Sequence, residues 1–245
     1  MSLRIAVLQH EPETGRGSFS GVLDNADVDY DVLRTTGATR LPDAGWFDGA
    51  IVLGGSLGAG EPALLETQRW IRDAVLRNTP FLGICLGGQL LARALGGVVR
   101  RGSKPEVGVH DVFLTAGAKR DRLFGGLPGR FPVFGWHEDA FELPRGAIPL
   151  AGSIAYEHQA FRFGDSAYGL QFHPEVRSDD LDRWAAVPGY NRLLERAGTD
   201  WDDVEAGLER ATPELDALAE QLLGSWLRLV GDVAAVRERR PRVAV

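Results

Sequence analysis

Cys85 is the only cysteine in the 245-residue chain, and it stands in the run Gly83-Ile84-Cys85-Leu86-Gly87-Gly88-Gln89. The apolar residues Pro80-Phe81-Leu82 lead into it and a helix-like run from Gln89 to Leu95 leads out. Strand, glycine-flanked turn and helix make the context of a nucleophile elbow, with sulfur where many hydrolases carry a serine hydroxyl. Glycines at 83 and 87 allow a tight turn and leave room beside the nucleophile. A sulfur at a helix N-terminus has its thiolate form favoured by the backbone dipole. Such a nucleophile needs a base, and the base an orienter. Both are offered by Tyr168-Gly169-Leu170-Gln171-Phe172-His173-Pro174-Glu175-Val176, where an apolar strand ends at His173. Pro174 restricts the backbone on both sides of itself, holding His173 and Glu175 in fixed relation.

The elements that must position these residues follow from periodicity. Leu3 to Gln9 reads as a buried first strand, Tyr30 to Arg34 as a weaker second and Ala50 to Leu53 as a third ending at Gly54-Gly55. Residues 62–78 have helical spacing, with Leu64, Leu65, Trp70, Ile71, Ala74 and Val75 on one face and Pro62 in the first turn. Apolar runs alternating with helices predict a parallel sheet covered on both faces. Segments near 107–114, 131–136, 148–151, 160–164 and 168–172 read as further strands and predict an antiparallel extension. Beyond Val176 helical spacing returns at 181–186, 190–197, 204–210 and 215–230, with Thr212-Pro213-Glu214 read as the start of the last helix. The expected fold is an α/β three-layer sandwich with a mostly parallel central sheet, an antiparallel extension and a C-terminal helical appendage. The expected division is 1–177 for the main domain, 178–236 for helices packed on it and 237–245 for a flexible tail.

Taken together, G-x-C-x-G-x-Q followed by Q-F-H-P-E resembles the class I glutamine amidotransferases, in particular the stand-alone, GMP-synthase-like members, over roughly residues 3–177. The resemblance implies a catalytic triad of Cys85, His173 and Glu175 that hydrolyses the side-chain amide of glutamine through a glutamyl thioester. It implies an oxyanion hole from the backbone N–H groups of Gly55 and Leu86. It also implies substrate contacts from Gln89 and from the backbone of His158-Gln159-Ala160-Phe161, where relatives read Asn-x-Gly/Ala-Phe. The expected substrate-binding set is thus Gln89, His158, Ala160 and Phe161, with His137 of Trp136-His137-Glu138 at the pocket border. The loop that commonly reads Gly-Gly-Pro is here Gly54-Gly55-Ser56. The implied partners are glutamine or a γ-glutamyl compound and a separate synthase that takes the ammonia. Two alternatives stand beside this: a γ-glutamyl hydrolase or peptidase using the same triad, and a binding protein with little activity in the absence of its partner.

A second stretch, Gly54-Gly55-Ser56-Leu57-Gly58, also satisfies the serine elbow G-x-S-x-G, but Ala59-Gly60-Glu61-Pro62 prevents a helix from starting at the serine. His10 and His110 lie in no motif and are assigned to structure. No His, Cys, Asp or Glu spacing suits a metal, so no metal or other cofactor is expected. Apolar content of 44% and charged content of 25% are those of a globular chain with a sizeable core. A net charge of −7 gives no electrostatic case for nucleic acid. No apolar run approaches the ~20 residues of a membrane helix. A single cysteine and no signal-peptide layout fit a cytoplasmic protein.

Overall fold

The computed structural model describes residues 2–36 and 40–238. The elements in chain order are β1 (Leu3–Gln9), α1 (Phe19–Asn25), β2 (Val28–Arg34), β3 (Gly49–Val52), α2 (Leu65–Leu76), β4 (Phe81–Ile84), α3 (Leu86–Ala94), β5 (Val98–Leu114), β6 (Arg130–Glu142), β7 (Ile148–Gly152), β8 (Ala160–Phe163), β9 (Ala167–Leu170), α4 (Ser178–Ala185), α5 (Pro188–Ala197) and α6 (Trp201–Glu238). They form one nine-stranded sheet in the order β2-β1-β3-β4-β9-β8-β7-β5-β6. The first five strands in that order are mutually parallel and the remaining four pair antiparallel.

Residues Ile5 to Leu8 of β1 are fully buried on both faces, as a central parallel strand requires. Alternation then sorts them. Ile5 and Val7 join Ile51 and Leu82 against Phe19 and Leu23 of α1 and Leu222, Trp226 and Val230 of α6. Ala6 and Leu8 join Ala50, Val52 and Phe81 against Trp70 and Ile71 of α2 and Leu90 and Leu91 of α3. A third cluster ties Phe134 and Trp136 of β6 to Leu181 and Trp184 of α4, Tyr190 and Leu194 of α5, and Val204 and Leu208 of α6. The α/β sandwich, its antiparallel extension and the packed C-terminal helices are all present.

Two local expectations are corrected. The segments 204–210 and 215–230 are one helix, with Pro213 inside it rather than at its start. The Thr212 hydroxyl donates to the Leu208 carbonyl at 3.0 Å. Apolar side chains on either side of Pro213, Leu208 and Leu215 among them, pack in the same cluster. Tertiary packing therefore carries the helix through the missing N–H. In addition, α1 has no counterpart among the expected elements: with Phe19 and Leu23 as its buried residues, it is too short for a clear period. Of the expected tail 237–245, Arg237 and Glu238 close α6, and the rest lies outside the described residues.

Candidate active site

Cys85 sits between β4 and α3 with φ +47° and ψ −105°. This conformation is costly for a side-chain-bearing residue and marks the elbow. The turn closes because two neighbours lack side chains. A Cβ at Gly83 would lie 2.5 Å from the Gly87 carbonyl, and one at Gly87 would lie 2.1 Å from the Val52 oxygen. The Cys85 N–H donates to the Leu170 carbonyl at 2.8 Å, and the Cys85 carbonyl accepts from Gln89 N–H at 2.9 Å. Cys85 is thereby tied to both β9 and α3.

His173 lies three residues beyond β9. Its N–H donates to the Phe134 carbonyl of β6 at 2.7 Å, so the antiparallel extension holds the end of the parallel sheet. The ring Nδ1 pairs with Glu175 Oε1 at 2.8 Å, both residues are buried, and Nε2 has no partner among the described residues. Trp184 meets the imidazole edge to face at 5.2 Å. Burial alone would favour the neutral ring, but the Glu175 carboxylate and then Cys85 outweigh it and raise His173 to about 10. His173 and Cys85 meet across Gly54, where a Cβ would lie 2.8 Å from His173 Cε1 and 3.6 Å from Cys85 Cβ.

A pocket of about 210 Å³ opens over Cys85, with His173 and Glu175 buried behind its lining. Cys85, Gly55, Leu86, Gln89 and His137 line it, so five of the expected site residues share one cavity. Gly55 and Leu86 are neighbours: a Cβ on Gly55 would lie 3.1 Å from Leu86 Cδ2. Leu86 opens α3, where a backbone N–H has no intrahelical acceptor. Gln89 Nε2 donates to the Asp139 carbonyl at 3.1 Å and to Gln171 Oε1 at 3.3 Å. Gln171 Nε2 in turn approaches Cys85 Sγ at 3.7 Å. His137 is buried in the pocket wall, with Nε2 3.1 Å from Glu106 Oε2 and Nδ1 3.2 Å from the Asp139 carbonyl.

His158, Ala160 and Phe161 do not line this pocket. Ala160 and Phe161 belong to β8 and are buried in the two faces of the core, with the Phe161 ring against Phe141 at 4.9 Å. Their apolar side chains serve the packing of the two sheet faces. Gln159, between His158 and Ala160, reaches the same Glu106 carboxylate that holds His137. A larger cavity, about 650 Å³, lies among Arg120, Arg122, Arg162 and the end of α6, away from Cys85.

Ser56 does not stand at a strand-to-helix elbow. Its hydroxyl donates to Glu11 Oε1 at 2.7 Å, and α2 begins only at Leu65. His10 is paired with Thr35 and buried, which lowers it to about 4. His110 sits against Glu106. No metal-binding cluster occurs among the described residues, and no helix among them is long and apolar enough to cross a membrane. Sequence reasoning missed the far wall of the pocket, Gly189, Tyr190 and Leu193 of α5. The helical spacing of 190–197 was legible, but no motif marks it as part of a site.

The model of the family described as glutamine amidotransferase class-I matches residues 22–184. A GMP synthase [glutamine-hydrolyzing] subunit from Pyrococcus abyssi is 36% identical over 127 residues, 50% of this chain and 66% of that protein. The GMP synthase [glutamine-hydrolyzing] of Thermosipho africanus is 40% identical over 131 residues, 52% of this chain but only 24% of that protein. The chain thus spans about a quarter of the one relative and two thirds of the other. A crystal structure of a glutamine amidotransferase from Thermotoga maritima superposes with a TM-score of 0.82 at 32% identity, covering 94% of this chain and 99% of that one. The chain belongs to the class I glutamine amidotransferase family.

Proposed function

We propose that this chain hydrolyses the side-chain amide of glutamine and supplies the ammonia to a separate synthase. The Cys85 sulfur attacks the amide carbon while the thiol proton resides on His173. That proton passes to the departing nitrogen, so ammonia leaves and a glutamyl thioester remains. Water, deprotonated by His173, then releases glutamate and regenerates the thiol. The backbone N–H groups of Gly55 and Leu86 receive the oxyanion of each tetrahedral intermediate. Glu175 orients His173 and stabilises its charged form. The observation that carries this reading is the buried His173–Glu175 contact of 2.8 Å beside a cysteine held at a strained elbow. A separate acceptor is suggested by the Pyrococcus abyssi relative, which is named as one subunit of its synthase.

The test is covalent. A glutamine analogue with an electrophilic side chain, such as diazo-oxo-norleucine, should add once per chain, and peptide mapping should place it on Cys85. Labelling elsewhere, or none in protein that turns over glutamine, rejects the assignment. If γ-glutamyl peptides give kcat/KM ~100-fold above glutamine, which is ~2.7 kcal/mol of transition-state discrimination, a γ-glutamyl hydrolase replaces ammonia donation.

A further inference from the structure

We propose that the Tyr190 hydroxyl is a substrate-binding hydrogen-bond donor of this active site, contributed by α5 from outside the segment that the family model matches. The proposal rests on the glutamine-hydrolysing reading above. Tyr190 lines the Cys85 pocket yet is 4% exposed, and its hydroxyl has no hydrogen-bond partner among the described residues. A buried hydroxyl without a partner is costly and uncommon. Since the residue borders the cavity, a molecule in the pocket can satisfy what the protein does not. Its ring is held stiffly, stacked on Trp184 at 4.5 Å and 5° and edge-on to Trp136 at 6.0 Å. The same Trp184 packs on His173, so the phenol and the catalytic base are set by one side chain. The preceding residue, Gly189, adjoins the oxyanion loop: a Cβ there would lie 2.9 Å from Ser56 Cβ.

The hydroxyl acts as a donor. Burial, then the charges of Glu11, Cys85 and Glu175, push its ionisation well above the ordinary tyrosine value, so it keeps its proton at any working pH. Trp136 is the other pocket-lining residue with an unpartnered buried polar atom. Its indole is fixed between Trp201 at 4.9 Å and Trp184 at 5.6 Å. The substrate chemistry that fits Tyr190 is a carbonyl or carboxylate oxygen of the bound amino acid.

Tyr190→Phe removes the hydroxyl and keeps the ring. In the full chain KM for glutamine should rise about tenfold, the worth of one hydrogen bond of ~1.4 kcal/mol, with kcat changed by less than about threefold. Thermal stability should be unchanged or higher, because no protein partner is lost. On a Cys85→Ala background, glutamine Kd from calorimetry should weaken by the same factor. With tyrosine labelled at 13Cζ, glutamine should shift the Tyr190 resonance, assigned by Phe substitution of the other three tyrosines. Unchanged KM and Kd, or no shift at Tyr190, overturns the proposal. So does a fall confined to kcat, or a drop in melting temperature with proportionate loss of all activity. A wild-type chain inert toward both glutamine and γ-glutamyl compounds overturns the functional reading itself.

Discussion

Glu11 grips Ser56 with both carboxylate oxygens: Oε2 accepts the Ser56 N–H at 3.0 Å and Oε1 accepts its hydroxyl at 2.7 Å. Ser56 follows Gly55, whose N–H is assigned to the oxyanion, and stands where relatives commonly carry proline. A proline stiffens such a loop by fixing φ and has no N–H to bond. Here a carboxylate from the loop after β1 restrains the loop after β3 instead. Glu11→Ala should therefore lower kcat for glutamine by about 10- to 100-fold with little change in KM, since a misplaced oxyanion donor weakens only the transition state. Ser56→Ala keeps the backbone bond to Glu11 and should cost less than about tenfold. Equal losses in the two variants, measured in folded protein, would show that the clamp does not set the loop.

Cys85→Ser should abolish glutamine hydrolysis and leave the fold intact. Serine is close in shape and no bulkier, but its hydroxyl is far harder to ionise than a thiol beside an imidazolium. Circular dichroism and thermal unfolding near those of wild type, together with loss of ammonia release, is the expected pair of results. Residual turnover at the wild-type rate would remove Cys85 from the mechanism.

His173 gives a pH signature with a definite sign. Its pKa is raised in the folded chain to about 10, whereas an unfolded histidine titrates near ~6.5. The stability it contributes is fully present below that unfolded value and is lost as pH rises through the folded one. Glu175→Gln removes the carboxylate that outweighs burial, so the His173 midpoint should drop below ~6.5 or toward it. Its alkaline loss of stability should then shrink. Proton NMR titration of His173 in the two proteins, with unfolding followed from pH 6 to 10, checks both statements. An unchanged midpoint in the variant would mean that Glu175 does not stabilise the imidazolium. Catalysis should also fall less in Glu175→Gln than in His173→Ala, because only orientation and charge stabilisation are weakened.

What could be read in advance follows from the range of the forces involved. Cys85 with its glycines and the His173-Pro174-Glu175 run are each a short contiguous motif, readable without knowing the distant partners, Leu170, Val52 and Phe134, that fix them in the fold. The parallel strands were legible because Ile5 to Leu8, Ala50 to Val52 and Phe81 to Ile84 are buried on both faces. The first half of β5 was not, since Arg100, Arg101 and Lys104 are too polar to suggest a strand. It is held by pairing with β6 across a register shift between Arg101 and Glu106. Tyr190 and Glu11 were missed for a related reason. Each reaches the site only through tertiary folding, Tyr190 on a helix 105 positions after Cys85 and Glu11 on a loop 45 positions before Ser56. Pro213 misled because its local meaning, a helix start, is overridden by packing on both sides.

Packing beneath α6 holds β3, the strand that leads to Gly54 and Gly55. Gly49 opens β3 under α6, where a Cβ would lie 2.9 Å from Trp226 Cη2 and 2.9 Å from Val230 Cγ2. Both partners are fully buried, so neither can swing into solvent. Gly49→Ala should then destabilise by ~1–3 kcal/mol through overpacking, and Trp226→Ala by ~3–5 kcal/mol through the cavity it leaves. Val230→Ala alone should be destabilising as well, yet it opens space at the point where the new methyl arrives. The double variant Gly49→Ala, Val230→Ala should accordingly be more stable than the sum of the two single effects, by ~0.5 kcal/mol or more. Denaturant unfolding of the four proteins closes the cycle. Strict additivity would show that α6 yields to the added methyl without strain, and that its seat on the sheet is looser than the packing implies.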